Sequence, residues 1–65
     1  MKTYVVEMKV AGKWKFYSDH GTKSYAIDNA DTIFSSRRID IRIKEKGKVI
    51  FNLDDLIKLR KEKKK

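Results

Sequence analysis

Residues 8–16 read MKVAGKWKF, and residues 43–51 read IKEKGKVIF. Both follow one pattern: apolar, Lys, two free positions, Gly, Lys, apolar, one free position, Phe. How each stretch turns decides which side chains meet in a core, and so decides the fold. Upstream of the first Gly, Tyr4, Val6 and Met8 alternate with Val5, Glu7 and Lys9, the period of a half-buried strand. Downstream, Trp14 and Phe16 alternate with Lys15 and Tyr17.

The length of the turn sets the register. A two-residue loop at Ala11-Gly12 pairs Val10 with Lys13 and puts Trp14 and Phe16 on the face of Glu7 and Lys9. A three-residue loop with Gly12 left-handed pairs Lys9 with Lys13, so that Met8 faces Trp14 and Val6 faces Phe16. Only the longer loop gathers the apolar side chains on one side, and a slip of one residue inverts the face. Gly in the third loop position also suits a type I turn closed by a bulge, where φ is positive. The second stretch obeys the same rule with Glu45-Lys46-Gly47 as the loop. Lys44 then opposes Lys48, Ile43 opposes Val49 and Ile41 opposes Phe51. The expectation is two three-residue hairpins.

A helical pattern follows each hairpin. Ala26, Ile27, Ala30, Ile33 and Phe34 form an amphipathic stripe, with Thr22 or Ser24 as N-cap and an acidic polar face at Asp28 and Asp31. After the second hairpin, Asn52 is placed to cap a helix whose first turn holds Asp54 and Asp55 and whose stripe is Leu53, Leu56 and Ile57. Lys58, Arg60 and Lys61 fall toward its C-terminus, so both charge types complement the helix dipole. The sequence thus predicts an α+β fold of order ββαββα. Four mostly antiparallel strands form one sheet, with both helices on one face and the other face open and basic. The expected core is Tyr4, Val6, Met8, Trp14, Phe16, Ile39, Ile41, Ile43, Val49 and Phe51 with the two helix stripes. Residues 1–60 read as a single small domain and 61–65 as a basic, frayed tail. The helices and linkers do not repeat, so the shared nonapeptide reads as convergent hairpin chemistry.

Composition bounds the rest. A chain of 65 residues supports one thin core, burying about 60% of its unfolded surface. It contains no Cys, which removes disulfides and thiolate metal sites. No apolar run approaches the roughly 18 residues of a membrane span, and Glu7 puts a charge where a leader's apolar stretch should continue. The expected location is cytoplasmic. The net charge of +8 is skewed: residues 1–36 carry +1 and residues 37–65 carry +7. Such a skew bears on polyanionic partners rather than on fold.

Catalytic chemistry finds little support. His20 is the single histidine, and its neighbours Ser18 and Asp19 suggest a triad in sequence only, because adjacent residues rarely converge. Gly12, Gly21 and Gly47 are isolated and form no phosphate-cradling loop. No catalytic residue, metal ligand set or cofactor is expected, and the chain reads as non-enzymatic. A membrane partner is not expected either. The open face is the candidate site. The expected register lines it with Lys9, Lys13, Lys15, Tyr17, Arg38, Arg42, Lys44 and Lys48, against the two acids Glu7 and Asp40, with Arg37 at the entry to the third strand. Basic side chains around an aromatic on an open sheet suit a sugar-phosphate backbone and a stacked base. Tyr17 alone, however, is fewer aromatics than sheet platforms usually present. Nucleic acid is therefore the expected partner. The alternative is an accessory or inhibitor module of phage or plasmid type, docking on an acidic protein surface. A homodimer through the open face is a further expectation, with Val5, Tyr17 and Ile50 as its apolar island.

Overall fold

The protein was analysed as a computed structural model that describes residues 2–63. The elements are β1 (Tyr4–Val10), β2 (Lys13–His20), α1 (Lys23–Arg37), β3 (Ile41–Glu45), β4 (Lys48–Asn52) and α2 (Leu53–Lys63). The expected order ββαββα holds, in one four-stranded sheet of order β2-β1-β3-β4. Every neighbouring pair is antiparallel. Strands β2 and β3 therefore run the same way on either side of β1, and α1 makes the crossover between them, a split β-α-β unit. Helix α2 carries residues 61–63 of the basic C-terminal segment, and residues 64–65 lie outside the described residues.

The helices start where local chemistry satisfies their free amides. The Thr22 hydroxyl accepts from the Tyr25 N–H at 3.3 Å and caps α1. At α2 the Asn52 side chain accepts from the Asp55 N–H, and the Asp55 carboxylate accepts from the Asn52 N–H, both at 3.1 Å. That reciprocal pair is a capping box with Asp in place of Glu. Helix α1 ends at Arg38, whose left-handed backbone (φ 56°) lets its N–H donate to the Phe34 carbonyl.

Both turns differ from the expectation. Strand β1 pairs Val10 with Lys13 and Lys9 with Trp14, so the first loop is Ala11-Gly12 alone. Strand β3 pairs Glu45 with Lys48 and Lys44 with Val49, so the second loop is Lys46-Gly47. All four loop residues have positive φ, 54° and 80° in the first and 51° and 83° in the second. Those are type I′ turns, whose twist matches that of the flanking strands. Each hairpin then corrects its register with a bulge. Tyr17 is the extra residue in β2, between Phe16 and Ser18. Ile50 is the extra residue in β4, between Val49 and Phe51. Phe16 precedes its bulge and Phe51 follows its own, so the two copies of one sequence pattern send their Phe to opposite faces.

The core is correspondingly smaller than expected. Val6, Ile41, Ile43 and Phe51 from the sheet meet Ala26, Ala30 and Ile33 of α1 and Leu56 of α2. Tyr4, Met8, Ile27, Phe34, Ile39, Ile50, Leu53 and Leu59 pack around them, half-buried. Trp14, Phe16 and Val49 leave the helix-covered face, and Ile57 is exposed on α2. The physical reason is register: the two-residue turns pair Trp14 with Lys9, Phe16 with Glu7 and Val49 with Lys44, on the face away from Ala26, Ala30 and Ile33 of α1. The shortest dimension of the molecule, 17 Å, fits one sheet and one helix layer.

Candidate nucleic-acid interface

The face away from the helices is built by the register in three rows. Asp19, Val5, Lys44 and Val49 form the first row across the sheet. Phe16, Glu7, Arg42 and Asn52 form the second. Trp14 and Lys9 begin the third, which closes where the Lys9 N–H donates to the Asp40 carbonyl at 3.0 Å. The two-residue turns thus place two aromatic rings of β2 on the open face, where the longer loops would have buried both.

The two rings are used differently. The Arg42 guanidinium carbon lies 4.2 Å from the centre of the Trp14 ring, and the Lys9 ammonium 5.8 Å from it. Arg42 also donates from Nε to Glu7 Oε1 at 2.6 Å. Cations already cover Trp14, therefore, and the ring anchors the Arg42–Glu7 pair. Among the described residues no cation lies over Phe16, which is 55% exposed. It forms one wall of an open groove of about 580 Å³ lined also by Val5, Glu7, Lys44, Lys46 and Lys2. Val5 supplies an apolar floor, Glu7 a carboxylate already paired to Arg42, and three lysines a positive end. Across the sheet Val49, 47% exposed, continues the apolar row beyond Lys44. At the opposite end of the face, a hollow of about 290 Å³ by Trp14 includes Asp40 and Asp54 and is acidic. Positive charge is thus concentrated at the Lys44–Lys46 end.

The residues singled out in the sequence divide into groups. Lys9, Arg42 and Lys44 lie on the open face as expected. The register puts Lys13, Lys15 and Lys48 on the other side, in line with Val10, Met8 and Glu45. Tyr17 is the bulge residue and 42% exposed, so it has no cross-strand partner in the face. Arg37 is in the last turn of α1, and Arg38 sits in the turn after it, 5.8 Å from the Phe34 ring on the helix side. Ile50, expected on the open face, is half-buried against the core. The expected Lys9–Lys13 and Lys44–Lys48 pairings are replaced by Lys9–Trp14 and Lys44–Val49. Phe16, Trp14, Lys46 and Lys2 are the additions that sequence reasoning missed. The signal for Trp14, Phe16 and Lys46 was the Gly at the second position of each turn, weakened because Ala11 and Lys46 stand where Asn is preferred; Lys2 had none.

Ser18 and His20 come together, but Asp19 lies on the other face, so the three form no triad. Ser18 and His20 face the helix side with Val6 and Tyr4, and Asp19 faces the open side with Val5. Ser18 Oγ lies 3.0 Å from His20 Nε2 and donates to Asn29 Oδ1 at 2.5 Å, a polar link between β2 and α1. The Asp19 carboxylate accepts from the Lys2 N–H at 3.1 Å. Among the described residues, no three His, Asp or Glu side chains cluster as metal ligands. Among the same residues, no helix is long and apolar enough to cross a membrane. No protein-family model matches the chain, and neither the curated proteins nor the solved structures searched contain a match.

Proposed function

We propose that this chain is a small, non-enzymatic, basic binding protein that holds single-stranded nucleic acid against its open sheet face. The observation that carries the reading is the uncovered Phe16 ring, walled into a groove whose end holds Lys2, Lys44 and Lys46. An exposed ring gives an unstacked base a surface, and lysines beside it neutralise the phosphates that follow. A duplex hides its base faces and gains only the charge term, so single strands are preferred. The surplus of +7 in residues 37–65 adds long-range attraction.

The test is anisotropy of labelled 12-nucleotide single- and double-stranded DNA and RNA at 50 and 200 mM salt. With three phosphates contacted, the single-strand slope is near –2, and affinity falls by roughly 20-fold over that range. Equal affinity for single strands and duplexes, or no binding at 50 mM, overturns the reading. A protein partner is the second reading, favoured by exposed Val49 on the same face as Phe16. It predicts no nucleic-acid binding and a complex that survives 200 mM salt.

A further inference from the structure

Glu7 is out of place on a surface meant for polyanions, unless the carboxylate has work there. It is the direct cross-strand partner of Phe16 and lines the same groove. Its position is fixed from the far side: Oε1 accepts the Arg42 Nε–H at 2.6 Å, and the Arg42 guanidinium rests on Trp14. Glu7 is thus held by its neighbour and stripped of most of its repulsion toward phosphate. A carboxylate is acceptor-only and offers about four lone-pair positions, of which Arg42 occupies one. Directly paired strand residues have Cβ atoms about 5 Å apart. The edge of a base stacked on Phe16 therefore comes within hydrogen-bond reach of Glu7.

We infer that the groove selects nucleobases bearing an exocyclic amine, with Phe16 stacking the ring and Glu7 accepting from the amine. The inference rests on the single-strand reading above. Cytosine, adenine and guanine each present an amine that donates to a carboxylate. Uracil and thymine present a carbonyl oxygen where cytosine has its amine, which sets lone pair against lone pair. Lys44 and Lys46 then take the flanking phosphates. The ligand class is a cytosine-, adenine- or guanine-containing single strand, and uracil- or thymine-only tracts are disfavoured.

Cytosine and uracil have nearly the same shape, so oligo-C against oligo-U is the clean comparison. Twelve-nucleotide RNAs of each are titrated into the unaltered protein at pH 7.5 and fixed salt, read by label anisotropy. The expected result is tighter binding of oligo-C by about fivefold or more. In Glu7→Gln the ratio falls toward one while both RNAs still bind, because an amide donates as readily as it accepts. Equal affinity, or a preference for oligo-U, on the unaltered protein overturns the inference. So does a ratio that Glu7→Gln leaves intact. If the variant does not fold, the unaltered comparison still decides. Binding of neither RNA refutes the single-strand reading itself. Equal, salt-sensitive binding of both keeps that reading and removes only the role of Glu7.

Discussion

Ala11 holds a left-handed backbone, φ 54°, that its methyl group disfavours. The turn tolerates this because Gly12 takes the second left-handed position freely and the strands gain a matching twist. Asn is the side chain best suited to the first position of such a turn. Ala11→Asn should therefore raise stability by about 1 kcal/mol, measured by urea denaturation with an unchanged slope. No gain would mean that Ala11 is not left-handed in solution. The same residue explains why the register was misread. Ala-Gly lacks the Asn-Gly signature, and Gly12 alone satisfied a three-residue loop that also buried Trp14 and Phe16. The preference for burial was the wrong arbiter here. Trp14 finds partners on the open face in Arg42 and Lys9.

At the scale of elements, the two helices are held unequally. Helix α1 sets Ala26, Ala30 and Ile33 into the core, and α2 contributes Leu56 as its one buried residue among those described. Two further ties hold α2. One is the Asn52–Asp55 capping box. The other is Arg60, which donates to Asp31 Oδ1 at 2.7 Å and Ser35 Oγ at 2.6 Å over the Phe34 ring. Asn52→Ala should cost about 1 kcal/mol and speed amide exchange in α2 more than in α1. Equal acceleration in both helices would mean that α2 does not open on its own. The Asn52 cap, Thr22 as one of two candidates for the other, the α1 stripe and the order of elements were legible, because each is set by neighbours within a few residues. Of the α2 stripe Ile57 is exposed, and Leu59 packs against the core. The bulges at Tyr17 and Ile50 were not legible, since neither carries a Gly or other local marker. The smaller core was not legible either, because it follows from the register that the turns and bulges set.

At the scale of the whole molecule, one layer of helix on one sheet leaves a full sheet face uncovered. The two short turns move aromatic rings onto that face, and the bulges return Ser18 and Phe51 to the helix side. The site was only partly readable for the same reason: Lys9, Arg42 and Lys44 came from strand alternation that does not depend on the turns, whereas Phe16 came from the turn itself. Phe16 is therefore where fold and function are tested together. The most direct measurement is Phe16→Ala, read for thermal stability and for affinity to a 12-nucleotide single strand. A ring 55% exposed should cost far less than the 3–5 kcal/mol of a core phenylalanine. Losing a stacked base weakens binding by about tenfold. A variant that keeps its fold and loses single-strand affinity is the expected result. A variant that unfolds would put Phe16 in the core. One that binds undiminished would take the open aromatic out of recognition, and either result contradicts the proposal.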